Sequence, residues 1–167
     1  MWLALKNLIF TLVMPGSVAV WIPLWIMSGD RARSGATAVS VARGALAWIP
    51  FAIGAAIYLW CLWDFATFGR GTPAPIDAPK RLVVRGLYRY VRNPMYLGVL
   101  TVIVGWCVRS GWWLWSYLAT VAVGFNVFVL LYEEPTLRRL FGAEYERYCA
   151  AVGRWIPGRP YRAVHPA

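Results

Sequence analysis

The sequence predicts an all-α integral membrane protein. About four transmembrane helices are expected, the third and fourth forming a hairpin, followed by a C-terminal amphipathic helix at the interface. Three observations predict this. Hydrophobic residues make up 60% of the 167 and charged residues only 14%, against about 25% charged in ordinary soluble domains. Mean hydropathy is +0.53. The chain also carries 11 tryptophans, a residue that gathers where membrane meets water.

Each element follows from length and punctuation, and together they make a single membrane-embedded domain over residues 1–167. A helix needs about 20 apolar residues to cross the hydrocarbon core. Residues 2–27 meet this with Lys6 as their one charge, and Pro15-Gly16 and Pro23 inside them predict kinks. The apolar N-terminus shows no small-residue cleavage pattern and reads as a retained helix, not a cleaved signal. After the polar stretch SGDRARSG, residues 45–68 form the second span, with Asp64 near its end. Residues 69–93 form a polar connection that begins with the Gly/Pro-rich GRGTPAPIDAP. Pro94 opens the third apolar segment, 94–108, with Asn93 placed as its N-cap. This segment is short for a core of about 30 Å, so it is expected to tilt or to span incompletely. The fourth span covers residues 112–132 and is expected to end at Glu133-Glu134-Pro135. Over 136–152, Leu137, Leu140, Phe141, Tyr145, Tyr148 and Val152 recur at helical spacing. Arg138, Arg139, Glu146 and Arg147 fall mostly opposite them, which predicts the amphipathic helix.

The formal net charge of +10 raises the possibility of a nucleic-acid partner. The basic residues, however, lie between apolar spans, and no nucleic-acid-binding motif is present. Their distribution instead sets an orientation. With four spans, the N-terminus, the 69–93 loop and the C-terminus share one side and hold thirteen of the Lys+Arg residues, while the other side holds four. The positive-inside bias then puts both termini in the cytoplasm, as in a bacterial inner membrane. Membrane lipids are the expected neighbours, and anionic headgroups suit the basic loops. Cys61, Cys107 and Cys149 form no C-x-x-C pair, and the one histidine, His165, stands near the end. Neither a disulfide framework nor a metal site is expected.

The predicted topology gathers three polar patches at one face: FGRGTP (68–73), YRYVRNPMY (88–96) and YEEP (132–135). Two adjacent glutamates at a helix C-terminus are electrostatically costly. Arg89 and Arg92 are their natural partners. From charge alone, the cluster reads either as an interfacial ion-pair network or as a binding site.

The motif G-x-Y-R-x-x-R-N-P-x-Y-x-G is followed, after one hydrophobic hairpin, by E-E-x-x-L-x-x-x-F-G-x-x-Y-x-x-Y. This linked pair resembles the membrane methyltransferases that include the isoprenylcysteine carboxyl methyltransferases and the phosphatidylethanolamine N-methyltransferases. The resemblance covers roughly residues 60 to 157. It implies S-adenosyl-L-methionine as cofactor, bound at the cytosolic membrane face, and a lipophilic acceptor drawn from the bilayer. Carried over residue by residue, Gly69 and Gly71 match a G-x-G where backbone approaches the cofactor. Tyr88, Arg92, Asn93, Pro94 and Tyr96 match the cofactor-side motif, and Glu133 and Glu134 match the acidic pair. Arg92 and Glu133 are the residues expected to serve catalysis. Arg89 and Gly98 belong to the same motif, where aromatic residues and glycine also serve helix packing. The carboxyl methyltransferases usually carry His where this chain has Asn93, and Asn resembles the phospholipid branch. Asn is not a base near neutral pH.

Methyl transfer from a sulfonium is an in-line displacement that needs alignment and desolvation more than acid catalysis. An isoprenylcysteine-type carboxylate needs no base, whereas a phospholipid amine must first lose a proton to Glu133, Glu134 or solvent. Two other functions fit the sequence. One is an NADPH-dependent membrane reductase related to the sterol reductases. The other is a non-catalytic membrane protein with a cytosolic ion-pair cluster.

Overall fold

The computed structural model describes residues 2–28, 38–69, 81–110 and 113–161, without side chains for 2–7, 38–40 and 69. Among the described residues the secondary structure is helical, apart from one isolated parallel bridge between Val91 and Gly153. Helix α1 (Trp2–Gly16) runs through a π-helical turn (Ser17–Trp21) into α2 (Ile22–Ser28), and together they form the first span. Helix α3 (Ala38–Asp64) ends in a second π turn (Phe65–Gly69). A 3-10 turn (Gly86–Arg89) leads into α4 (Pro94–Ser110). Helix α5 (Trp113–Phe128) passes through a third π turn (Val129–Glu133) into α6 (Glu134–Ala151). Three helical stretches, Leu8–Ser28, Val41–Phe68 and Trp113–Ala151, are long and apolar enough to cross a membrane, and Pro94–Ser110 is a shorter apolar helix. The chain is an all-α integral membrane protein.

The prolines explain how the first span is held. The Ile22 N–H reaches back five residues to the Ser17 carbonyl, which leaves the Val18 carbonyl without its usual helical donor. Pro23 has no N–H, so the Ala19 carbonyl loses its donor as well. Both are supplied from other helices: Tyr117 Oη donates to Val18 O at 2.7 Å and Trp106 Nε1 to Ala19 O at 2.7 Å. Inside a membrane such freed carbonyls must be satisfied by protein. The span is thereby tied to α4 and α5.

Helix α4 is the centre of the bundle. Its 17 residues reach about 26 Å at 1.5 Å per residue, short of the apolar core. Its neighbours cover it, and Val99, Ile103 and Cys107 are buried with Ala19, Tyr58 and Leu114. The outer faces of the long helices present Trp25, Trp48, Trp63 and Leu131, each more than two-thirds exposed, as lipid-facing residues should be.

Two glycines set the α3–α4 distance. A Cβ on Gly54 would stand 2.6 Å from Gly98 O, and one on Gly98 would stand 3.0 Å from Gly54 O. Backbone meets backbone here, the close approach that small residues allow between membrane helices.

The fourth helix does not stop at Glu133-Glu134-Pro135. The Glu134 N–H bonds the Val129 carbonyl across the π turn, and the helix runs on through Pro135, an early residue of α6. The acidic pair therefore sits inside a continuous helix, and the expected penalty of a helix C-terminus does not apply. The break comes later, at Gly142, whose φ of 49° and ψ of −126° are non-helical. Beyond it, Tyr145, Tyr148 and Val152 bury against Leu82, Val84 and Tyr161. Leu140, assigned by spacing to the same face, is exposed, because the Gly142 break resets the helical phase.

Gly54→Val should lower thermal stability in detergent by about 1–3 kcal/mol, as overpacked sites do. Gly124→Val should change it little, since a Cβ there meets nothing within 4 Å. Equal melting temperatures for the two variants would contradict the close crossing of α3 and α4.

Candidate functional site

The site is built where residues 85–97 meet the α5–α6 junction and the C-terminal segment. Gly86 starts the turn with φ of 53°, a left-handed conformation that glycine adopts without strain. A Cβ at Gly86 would also strike Asp64 Oδ2 and come within 2.9 Å of Trp60 Nε1. Arg85 lies over the Phe68 ring at 3.7 Å. The Tyr88 ring is buried edge-on against Phe65, and burial raises its hydroxyl well above the ordinary phenol value.

Residues 89–93 then run beside 153–161. The Arg92 N–H donates to Gly153 O at 2.9 Å, Gly158 N–H to Tyr90 O at 2.9 Å and Tyr161 N–H to Arg89 O at 2.9 Å. Arg89 Nε donates to Tyr161 O at 3.0 Å, so Arg89 holds this strap in place and does not pair with the glutamates as its charge suggested. Asn93 Nδ2 donates to Arg154 O at 3.2 Å, and its own carbonyl accepts the Leu97 N–H of the first turn of α4 at 3.3 Å. Pro94 follows as the first residue of α4 and is buried. Tyr148 Oη closes the strap from α6, donating to Tyr88 O at 2.6 Å.

The two glutamates take different partners. The π turn adds one residue to the helical turn ahead of them, and each residue rotates direction by about 100°. Glu134 is buried among guanidinium groups. Arg154 forks it, with Nε 2.6 Å from Oε1 and Nη2 3.1 Å from Oε2. Arg92 Nη1 lies 3.0 Å from Oε1, and Arg138 Nη2 lies 3.9 Å from Oε2. The carboxylate raises the Arg154 pKa, first through this hydrogen bond. Arg92 Nη1 also donates to Cys149 Sγ at 2.8 Å, while Arg92 Nε is buried with no hydrogen-bond partner. Glu133 instead accepts the Tyr96 hydroxyl at 2.8 Å, and among the described residues no cation pairs with it.

Tyr96 joins this polar cluster to an apolar cavity of about 360 Å³. Phe10, Met14, Val18, Met95, Val99 and Phe125 are among its walls, and Tyr96 stands in it with Tyr58. The Tyr58 hydroxyl is engaged with Thr11 Oγ1 at 2.9 Å. The size falls within the roughly 300–1,000 Å³ of small-molecule pockets.

The structure thus brings Arg92, Asn93, Tyr96, Glu133 and Glu134 together, with Pro94 opening the helix beneath them. Gly98 serves the α3–α4 crossing, and Gly69 ends the π turn after α3. Gly71 lies outside the described residues. Sequence reasoning passed over Arg154, Cys149 and the Trp155–Asn126 hydrogen bond of 2.9 Å. Arg154 stands in GRWIPG, where no periodicity points to a buried ion pair.

The family model described as phospholipid methyltransferase matches residues 42–144. That is more than half of the chain, and the chain belongs to this family of membrane methyltransferases. It is 35% identical over 82 residues to the probable protein-S-isoprenylcysteine O-methyltransferases of Oryza sativa subsp. indica and subsp. japonica, a match covering 46% of this chain. The match spans about two-fifths of the length of those relatives (41%). No solved structure matches.

Glu134→Gln should destabilise the protein by about 3 kcal/mol, because it leaves buried guanidinium charge without its counterion. Glu133→Gln should cost less than about 1 kcal/mol, since the carboxamide oxygen still accepts from Tyr96. Thermal unfolding of both variants checks this, and equal losses would contradict the division of partners between the two acids.

Proposed function

We propose that the protein transfers a methyl group from S-adenosyl-L-methionine to an amphiphile whose tail lies in the apolar cavity and whose head is an amine. The orientation we propose puts both termini and the 69–93 loop in the cytosol, following the excess of basic residues on that side. The observation that carries the reading is Tyr96, which lines the cavity and also donates to Glu133.

The residues present fit the cofactor's charged end. It carries a carboxylate, and Arg92 offers a buried guanidinium nitrogen without a hydrogen-bond partner, suited to an oxyanion. When bound, the cofactor supplies a methyl on a sulfonium that departs as a neutral thioether. Glu134 holds Arg92 in place, and Asn93 ties the start of α4 to the C-terminal strap.

The head group is argued from charge. A carboxylate head seated at Tyr96 would meet Glu133, with Arg154 forked onto Glu134 and the open side of Arg92 given to the cofactor's carboxylate. An ammonium head meets a matching acid. Glu133 takes its proton, directly or through the Tyr96 hydroxyl, and the nitrogen lone pair becomes the nucleophile. The apolar walls exclude water and hold the tail, so that alignment does most of the catalytic work. Membership in a methyltransferase family favours this chemistry over a nicotinamide-dependent reduction.

The test uses the full chain in liposomes with methyl-labelled S-adenosylmethionine and two acceptors, dodecylamine and the carboxylate N-acetyl-S-farnesylcysteine. Label should enter the amine. Glu133→Gln should slow that transfer about 100-fold or more, the usual loss with a general base, while the surface change Glu144→Gln leaves it unaltered. Faster labelling of the carboxylate, or equal rates for the two variants, would overturn the amine reading.

A further inference from the structure

Two guanidinium groups, Arg92 and Arg154, meet one buried carboxylate within 3.0 Å at the α5–α6 junction, the half-exposed Arg138 stands 3.9 Å from it, and the second acid, Glu133, is turned onto Tyr96. The cluster therefore keeps a surplus of positive charge. Geometry says which arginine holds the surplus. Arg154 touches both oxygens of Glu134, at 2.6 and 3.1 Å, in the fork that makes the strongest guanidinium–carboxylate contact. Arg92 meets Oε1 at 3.0 Å through an Nη1 that it shares with Cys149 Sγ, and its Nε has no hydrogen-bond partner.

We infer that Arg154 is a positioning residue: by serving as the principal counterion of Glu134, it leaves Arg92 available to a carboxylate-bearing ligand. The inference rests on the methyl-transfer reading, in which that carboxylate is the cofactor's. Without the Arg154 side chain, Glu134 would take Arg92 as its nearest counterion, Arg138 being half-exposed and 3.9 Å away. Charge attraction is strong where water is excluded, and the ligand would have to compete with it. The backbone role of the strap is separate. Asn93 bonds the Arg154 carbonyl and the Arg92 N–H bonds the Gly153 carbonyl, contacts that persist with any side chain at position 154.

Calorimetry on the detergent-solubilised full chain tests this with two nucleosides. S-adenosylhomocysteine carries the amino-acid carboxylate, and 5′-methylthioadenosine is the same nucleoside without it. Arg154→Met should weaken S-adenosylhomocysteine about tenfold or more, the scale of one charge-assisted hydrogen bond, and leave 5′-methylthioadenosine unchanged. Arg154→Lys, which keeps the charge but not the fork, should fall between Met and wild type. Arg139→Met, an exposed change on α6, should match wild type for both. Equal weakening of the two nucleosides would make Arg154 a purely structural residue and overturn the inference, as would unchanged S-adenosylhomocysteine affinity. If Arg154→Met does not fold, Arg154→Lys decides: a loss confined to S-adenosylhomocysteine supports the inference and no selective loss overturns it. A wild-type protein that binds neither nucleoside would remove the methyl-transfer reading itself, and this inference with it.

Discussion

A carboxylate held between two guanidinium groups at the edge of a hydrophobic bundle organises this molecule. Glu134 lies within a helix built to cross a membrane, Arg92 enters from the turn that precedes α4, and Arg154 comes from the segment beyond α6. Each charge alone would be expensive to bury, and together they are stable only in one arrangement. Three stretches distant in sequence are thereby fixed to one another. The main-chain strap between 89–93 and 153–161 repeats the same connection in neutral hydrogen bonds. Removing the carboxylate would leave the arginines without a reason to converge.

The π turns make the arrangement possible. At Val129–Glu133 the extra residue turns two adjacent acids onto different partners, one ionic and one phenolic. Adjacent residues in a regular helix already point about 100° apart, but the turn sets their phase relative to the apolar face of α5. It also absorbs Pro135 and lets the helix continue. At Ser17–Trp21 the same device frees the Val18 carbonyl, Pro23 frees that of Ala19, and Tyr117 and Trp106 use the two as anchors. The two halves of the bundle are joined by backbone groups that a regular helix would have kept to itself. Irregular turns of this kind recur at functional sites.

The spans were legible because hydropathy is additive along the chain and length alone decides what can cross a bilayer. The shortness of α4 was legible too, though not its cause: a helix wrapped by its neighbours on most sides need not match the bilayer thickness. Arg92, Asn93, Tyr96, Glu133 and Glu134 could be named from their motif, and the structure brings them together. What stayed hidden was partner choice. Nothing in the composition distinguishes Arg89, which bonds a backbone carbonyl, from Arg92, which meets an acid. Arg154 was hidden for the same reason, since contacts across 20 or more positions leave no local pattern. The continuation past Pro135 was hidden because a π turn differs from an α turn by one hydrogen bond, with no residue signature of its own. Leu140 fell on the wrong face because Gly142, read as one more helical residue, breaks the phase.

In the mechanism we propose, Glu134 and Arg154 form a fixed base on which Arg92 and Glu133 present opposite charges to two ligands. A structure of the full chain with S-adenosylhomocysteine bound tests it most directly. The ligand's carboxylate should lie against Arg92, with its sulfur facing the Tyr96–Glu133 pair and the Arg154–Glu134 fork unchanged. A ligand held by Glu134 with Arg154 displaced, or one seated away from Arg92 altogether, would contradict it.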